Sequence, residues 1–137
     1  MTISLAFEAG VPSAQTPAPI QSTYITRTTD RVMQILLDGD LARLRSESVA
    51  RSLGMSSTTL RRRLRHDNTN YQFLLDRVRQ YRCEQMLLDV WLPGKCMADA
   101  LGYLEVNSFY RAFRRWTGIS YSDYKLQYEM EPKVVRH

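Results

Sequence analysis

The sequence predicts an all-α protein whose seven helices form two helix-turn-helix subdomains joined by a long linker helix. Apolar residues recur every three or four positions from about Asp30 onward, which is the spacing of one helix face. Glycines and capping residues divide this part of the chain into segments of helical length, and the strand signal is weak throughout. Two segments also repeat one helix-turn-helix pattern 48 residues apart.

The first 29 residues differ in composition from the rest of the chain. They include "GVPSAQTPAPIQSTYITRTT", which has three prolines, many Ser, Thr and Gln residues, and little charge. Such a segment buries too little apolar surface to fold by itself, so we expect a flexible N-terminal arm or linker over 1–29. A folded domain is expected over 30–128 and a C-terminal tail over 129–137.

The first three predicted helices are short. An apolar stripe predicts one that ends at Gly39. In "SESVARSLG", Ser46 is a candidate N-cap and Gly54 a candidate terminator. In "SSTTLRRRLRHDN", Leu60 and Leu64 lie one turn apart and predict the third helix.

A long amphipathic linker helix is predicted over about 70–88. The apolar residues that mark it are Tyr71, Leu74, Leu75, Val78, Tyr81 and Leu88. At 1.5 Å per residue, about 19 residues should span roughly 28 Å. The segment "WLPG" at 91–94 should end this helix. Three further helices are expected at about 94–101, 107–117 and 120–129.

The two repeats each place a small residue four positions before a glycine. The pairs are Ala50 with Gly54 and Ala98 with Gly102. Alanine allows two helices to cross closely, and glycine accepts the positive φ that ends the first helix of the pair. The second turn is one residue longer than the first. The pattern predicts helix-turn-helix units over about 46–66 and 94–117.

The second helix of the later repeat separates apolar from charged residues. On a helical wheel, one face carries Phe109, Ala112, Phe113 and Trp116. The opposite face carries Asn107, Arg111 and Arg114, with Tyr110 on one flank and Ser108 and Arg115 on the other. We therefore expect the aromatic face in the core and the arginines at the surface.

The corresponding helix of the earlier repeat shows the same separation. On its helical wheel, Leu60 and Leu64 lie on the buried face and Arg63 lies toward that face. The residues expected at the surface are Thr58, Arg61, Arg62 and Arg65. The net charge is +5, with 16 arginines and 3 lysines. Arginine forms paired hydrogen bonds with phosphate and guanine, so the pattern favours an anionic partner over a merely solvated surface.

Double-stranded DNA is the anionic partner that fits two such helices. Asn107, Arg111 and Arg62 suit base edges in the major groove. Three arginines farther along their helices suit phosphates: Arg65, Arg114 and Arg115. A linker helix of roughly 28 Å, with the width of its flanking helices, suits the spacing of about 34 Å between successive major-groove segments. The two faces differ in sequence, so an asymmetric site is expected.

Catalysis, metal binding and membrane insertion are not indicated by any pattern in the sequence. The two cysteines and two histidines do not complete a metal-ligand spacing. No catalytic arrangement or phosphate-binding glycine loop is present, so we expect no enzyme activity and no cofactor. Cys83 is either a buried structural thiol or a reactive one beside Arg79 and Arg82. Without a membrane span or signal peptide, we expect a cytoplasmic protein.

Three segments resemble the DNA-binding domain of the AraC/XylS family of bacterial transcription regulators. They are "GMSSTTLRRRL", "VRQYRCEQMLL" and "ALGYLEVNSFYRAFRRWTGIS". The resemblance covers residues 30–128 and implies promoter binding, commonly with activation through RNA polymerase. It places first-helix DNA contacts at Ser57, Thr58, Arg61, Arg62 and Arg65. It places second-helix contacts at Val106, Asn107, Ser108, Tyr110 and Arg111, with Arg114 and Arg115 near the DNA backbone.

Two places depart from the family pattern. Tyr121 stands where the family usually has proline, although Ser120 and Asp123 still form a capping-box pattern. Pro93 and Gly94 replace the usual helix cap and aliphatic residue, so we expect the start of the following helix to fray.

Two questions of function and organisation remain open in the sequence. The alternative to a DNA-binding regulator is a helical protein-interaction adaptor or anti-activator that uses the same basic face. No effector-binding domain is visible, and the linker-like arm favours a part of a longer regulator over a stand-alone one. We expect the domain to be monomeric and any dimerisation to come from a region absent here.

Overall fold

The computed structural model describes residues 27–130. Nearly all of the predicted arm at 1–29 and most of the predicted tail at 129–137 therefore lie outside the described residues. The described part contains seven helices and no strand, so the predicted all-α class is confirmed. The helices are α1 (Thr28–Asp38), α2 (Ser46–Ser52), α3 (Ser57–His66), α4 (Tyr71–Asp89), α5 (Gly94–Leu101), α6 (Val106–Thr117) and α7 (Tyr121–Met130).

The described chain divides into two compact units between Tyr81 and Arg82, inside α4. The first unit holds α1 to α3 and the beginning of α4, and its α2 and α3 form the first helix-turn-helix. The second unit holds the end of α4 with α5 to α7, and its α5 and α6 form the second. Each unit has its own core of buried residues.

The first core consists of aliphatic residues. Its buried members are Val32, Leu36, Leu41, Val49, Ala50, Leu60, Leu64, Leu74, Leu75 and Val78. The prediction that Leu60 and Leu64 form the buried side of α3 is confirmed. Burial of these two side chains fixes which side of α3 faces away from the core, because residues four positions apart lie on one helix face.

The second core is rich in aromatic rings. Its buried members are Cys83, Leu87, Met97, Ala98, Leu101, Phe109, Ala112, Phe113, Trp116, Tyr121 and Tyr124. The predicted apolar face of α6 is thus buried as expected. The ring of Tyr121 meets Phe109 and Phe113 edge to face, with both centroid distances at 5.0 Å. Such edge-to-face pairs stabilise a core beyond their area alone.

The long helix α4 has the predicted length of 19 residues but not a single apolar stripe. Tyr81 and Leu88, which we expected on that stripe, are 53% and 51% exposed. Leu75 and Val78 pack into the first core, whereas Cys83 and Leu87 pack into the second. The prediction was wrong because the helix serves two separate cores, and one wheel over its whole length cannot represent both.

The two predicted helix-turn-helix repeats end their first helices with the same hydrogen bonds. Gly54 has φ +73° and Gly102 has φ +86°, as expected for left-handed C-terminal glycines. The residue after each glycine donates its backbone N–H to the alanine carbonyl, Met55 to Ala50 at 3.0 Å and Tyr103 to Ala98 at 2.9 Å. The buried alanines and the glycines therefore have the structural roles that the repeat predicted.

The helix starts in the repeats and in α7 use serine in different ways. Ser46 is the first helical residue of α2 and not its N-cap, so that prediction was wrong. The N-cap is Arg45, whose backbone N–H donates to the Ser48 hydroxyl at 3.1 Å. At α7, the expected serine cap is present, since the Asp123 backbone N–H donates to Ser120 Oγ at 3.0 Å.

The start of α5 is formed at Pro93 and Gly94, where we expected fraying. Helix α5 begins at Gly94 itself, and the Met97 N–H donates to the Pro93 carbonyl at 3.0 Å to close its first turn. Pro93 serves as the N-cap without a side-chain hydrogen bond. The backbone thus closes this turn although the usual serine or threonine cap is absent.

Candidate nucleic-acid interface

The outer face of α3 is the candidate reading surface of the first unit. Ser56 begins the helix by accepting the Thr59 backbone N–H at 3.1 Å, which fixes its first turn. The predicted contact residues that lie exposed on this helix are Thr58, Arg61, Arg62 and Arg65. Ser57, the remaining predicted contact, is half-buried at the first helical position. Helix α3 thus presents its arginines away from the core that holds Leu60 and Leu64.

Arg63 is also exposed, although the wheel turned it toward the buried side. Its long side chain carries the guanidinium out to solvent from the flank of the helix, which is common for arginine. Among residues 27–130, neither Arg61 nor Arg62 forms an ion pair with a carboxylate. The charge of α3 is therefore not neutralised by the described part of its own unit, and it is available to an anionic partner.

The outer face of α6 is the candidate reading surface of the second unit. Asn107, Arg111 and Arg114 are exposed opposite the buried aromatic face, as the wheel predicted. Arg115 is exposed as well, and it shares the last turn of the helix with Arg114. The amide and the cations thus follow the helix from its first turn to its last.

The guanidinium of Arg111 lies beside the Ser108 hydroxyl. Arg111 Nη2 donates to Ser108 Oγ at 3.4 Å, one turn earlier on α6. The guanidinium therefore points toward the N-terminal part of the helix, and the Arg111 side chain remains exposed. Ser108 and Val106, both predicted contacts, are half-buried, and Val106 packs against the second core. Of these two, Ser108 thus lies one turn from Arg111 and contacts it, and Val106 packs at the start of α6.

Tyr110 lies partly against the protein, and sequence reasoning missed this. Its side chain is 40% exposed, and its ring lies 5.8 Å from that of Phe109 and 6.1 Å from that of Tyr121 between centroids. A Cβ added at Gly94 would overlap the hydroxyl end of the Tyr110 ring. The buried glycine therefore provides the space that Tyr110 occupies, and only part of the ring remains at the surface.

Reactive thiol chemistry does not fit Cys83 in the second unit. Cys83 is fully buried, and this burial raises the pKa of its thiol far above the ordinary value. A buried protonated thiol is a poor nucleophile, so the structural interpretation of Cys83 holds. Within residues 27–130, no group of three or more His, Cys, Asp or Glu side chains is placed to hold a metal ion. No helix in the same range is long and apolar enough to cross a membrane.

Comparison with protein families identifies the repeated motif. A family model described as a helix-turn-helix domain matches residues 49–127, which is more than half of the chain. The match begins in α2 and ends in α7, so it includes both turns and both candidate reading helices.

Curated relatives have similar sequences over the same region. The ornithine utilization regulator of Pseudomonas aeruginosa is 42% identical over 97 residues, which cover 69% of this chain and 28% of that protein. The HTH-type transcriptional regulator VqsM of the same organism is 38% identical over 78 residues, covering 57% and 24% respectively. The chain therefore spans about a quarter of the length of these relatives.

Solved structures of transcription regulators have the same fold. The transcriptional regulator CdpR of Pseudomonas aeruginosa matches with a TM-score of 0.68 and 37% identity, over 77% of this chain and 33% of that one. A DNA-binding transcriptional dual regulator of Escherichia coli K-12 matches with a TM-score of 0.67 and 25% identity, over 77% and 95%.

Proposed function

Since the chain belongs to the AraC-type helix-turn-helix family of transcription regulators, we propose that it binds double-stranded promoter DNA sequence-specifically and activates transcription. Helices α3 and α6 enter successive segments of the major groove, one from each unit. The DNA-binding domain extends over 30–128 and binds as a monomer. Contact with RNA polymerase at the promoter is the means of activation that the family relationship favours.

The recurrence of exposed arginines on the second helix of both units is the observation that carries this proposal. With the N-caps Ser56 and Glu105 aligned, Arg62 and Arg65 on α3 correspond to Arg111 and Arg114 on α6, and all four arginines are exposed. Each helix carries one further exposed arginine, Arg61 on α3 and Arg115 on α6. Each set lies opposite a buried apolar face, so neither set is needed to close a core. Solubility alone does not require the same cations at the same places of two repeats.

The roles of individual residues follow from their positions along each helix. Asn107 and Arg111 lie in the first half of α6, where a recognition helix approaches base edges. Arg62 contacts base edges from the corresponding position of α3. Arginines later in each helix neutralise phosphates and fix the register of the protein on the duplex. These are Arg65, Arg114 and Arg115. Because the two reading faces differ in sequence, the bound site is asymmetric.

A binding titration tests this function. The probe is the tightest-binding duplex recovered by the wild-type chain from a random-sequence library, with a scrambled duplex of equal length as reference. We expect strong preference for the selected duplex and a steep salt dependence, with log K falling by about 0.9 per neutralised phosphate for each unit of log salt concentration.

The variants Arg62→Ala and Arg111→Ala should each lose that preference, whereas Arg43→Ala should not. Arg43 is the matched control, because it is an exposed arginine of the first unit that lies outside both reading helices and pairs with Asp40. Equal binding of selected and scrambled DNA by the wild-type chain would refute the proposal. It would favour an adaptor that uses the basic face on an acidic protein.

A further inference from the structure

The turn before α6 contains one residue that has no counterpart in the turn before α3. In the first unit, Gly54 and Met55 are followed directly by the N-cap Ser56. In the second unit, Leu104 stands between Tyr103 and the N-cap Glu105. The hydrogen bond from Met55 to Ala50 and its equivalent from Tyr103 to Ala98 align the two turns residue by residue. Leu104 is therefore the inserted residue.

Leu104 is 95% exposed, more than any other large apolar side chain among residues 27–130. Tyr103, its neighbour, packs against the second core, so the turn does bury a side chain at the adjacent position. The N-cap Glu105 makes no side-chain cap hydrogen bond that would involve this turn. The Leu104 side chain is thus not part of the core of the second unit. The folded chain therefore lacks the stabilisation that burial of a leucine side chain normally gives.

The position of Leu104 relates it to the reading face. It precedes the first residue of α6 by two positions, and Asn107 in the first turn of that helix is exposed. The N-terminal residues of a recognition helix are the ones that approach base edges in the major groove. Under the proposed function, Leu104 therefore enters the groove with the start of α6. The exposed cations of the same helix, Arg111 and Arg114, supply the attraction to DNA.

The major groove offers one apolar group on its floor, which is the C5-methyl group of thymine. We propose that Leu104 is a specificity-determining residue that contacts a thymine methyl group at the edge of the sequence read by α6. This inference rests on the proposed function and adds to it one base preference that the arginine and asparagine contacts do not supply. The contact removes the apolar surfaces of Leu104 and the methyl group from water. Binding to DNA therefore gains the free energy of burial that Leu104 does not gain in the free chain.

Replacement of thymine by deoxyuridine tests the contact, because it removes only the methyl group. The probe is the tightest-binding duplex that the wild-type chain recovers from a random-sequence library, with each thymine replaced in turn. We expect one replacement beside the α6 contacts to weaken wild-type binding by about fourfold, the effect of one buried carbon group. Leu104→Ala should bind the thymine and uracil probes equally.

Two further variants make the test specific. Leu104→Met keeps an apolar side chain and should retain the difference between thymine and uracil. Leu126→Ala is the matched control, because Leu126 is an exposed leucine of the same unit on α7 and should leave that difference unchanged. Because Leu104 is outside the core, its substitution should not alter the unfolding of the second unit.

The outcomes separate this inference from the proposed function. Failure of the wild-type chain to prefer the selected duplex would overturn both. Preference for the selected duplex without any uracil effect would overturn the thymine contact alone. A Leu104→Ala variant that binds both probes more weakly than the wild type but keeps the wild-type difference between thymine and uracil would also overturn it. Loss of transcription activation by Leu104→Ala with unchanged DNA binding would likewise overturn it and assign Leu104 to a protein partner.

Discussion

The hydroxyl of Tyr121 donates a 2.6 Å hydrogen bond to the backbone carbonyl of Leu92. This bond joins the first residue of α7 to the segment immediately before Pro93 and α5. The same ring stacks on Trp91, with centroids 5.5 Å apart. One of the two departures from the family pattern, Tyr121, therefore contacts the residues that directly precede the other, Pro93 and Gly94. A tyrosine in place of the usual proline holds the segment that lacks the usual helix cap.

Tyr121→Phe should weaken the second unit through loss of this bond. The ring packing is kept while the Leu92 carbonyl loses its donor, so we expect a loss of about 1 kcal/mol in the free energy of unfolding. Both tryptophans, Trp91 and Trp116, lie in the second unit, so their fluorescence during urea unfolding reports on this unit. Tyr81→Phe, at an exposed tyrosine of the first unit, is the control. An unchanged midpoint for Tyr121→Phe would show that the bond contributes nothing to stability.

Gly94→Ala should destabilise the second unit only while Tyr110 is present. The added methyl group overlaps the Tyr110 hydroxyl end, so the ring must leave its place, at a cost of about 1 kcal/mol. In a Tyr110→Ala background the same change should be neutral or stabilising by up to about 1 kcal/mol, because alanine favours helix over glycine. The double-mutant cycle, measured by urea unfolding, gives the coupling. Additive effects of the two substitutions would contradict the proposed overlap.

The sequence predicted the parts of the fold that depend on residues close together in the chain. The buried side of α6 at Phe109 and Phe113 follows from helical spacing, and the positive φ of Gly102 follows from its turn. The contact of Tyr110 with Gly94 joins residues far apart in sequence, so no local pattern could reveal it. A glycine at a predicted helix start was the available signal, and only the fold showed that Tyr110 occupies the space beside it.

Exposed positions of the candidate interface were also predictable, but the degree of exposure was not. The wheel placed Arg62 and Arg111 outside because each lies opposite a strongly apolar face. It could not show that Val106 packs against the core while Leu104 remains in solvent. Both residues are apolar and lie at the ends of their segment, where helical periodicity is lost and tertiary contacts decide burial.

Cys96 should react with iodoacetamide in the native protein, and Cys83 should not. Cys96 is exposed on α5, whereas Cys83 is enclosed in the second core and its burial raises the pKa of the thiol. A raised folded-state pKa keeps the thiol protonated, so raising the pH to its ordinary value of 9.0 should not make Cys83 reactive while the protein is folded. Above pH 9.0 the Cys83 thiol loses its proton in the unfolded chain but keeps it in the folded chain. The free energy of unfolding should therefore fall as the pH rises.

Mass spectrometry of peptides after timed alkylation measures both sites in one sample. Labelling of both cysteines in urea shows that each peptide is detected and that protection of Cys83 depends on folding. Equal rates of labelling at pH 7 without urea would contradict the burial of Cys83.

Arg111→Ala and Arg114→Ala should weaken DNA binding in two distinguishable ways. An arginine that reads a base contributes about 1–3 kcal/mol at that base, so Arg111→Ala should relax preference at one position of the selected duplex. An arginine on a phosphate carries no sequence information, so Arg114→Ala should weaken selected and scrambled duplexes alike. It should also lower the salt slope by about 0.9.

Binding measured at several salt concentrations, on the selected duplex and its single-base variants, separates the two effects. Ser108→Ala adds a third case, because it removes the hydroxyl that accepts from Arg111 and leaves the guanidinium in place. If Ser108 positions Arg111, this variant should relax preference at the same base as Arg111→Ala but to a smaller extent, with an unchanged salt slope. A loss at a different base would show that Ser108 touches DNA by itself. Uniform weakening by Arg111→Ala would move Arg111 from the bases to the phosphates.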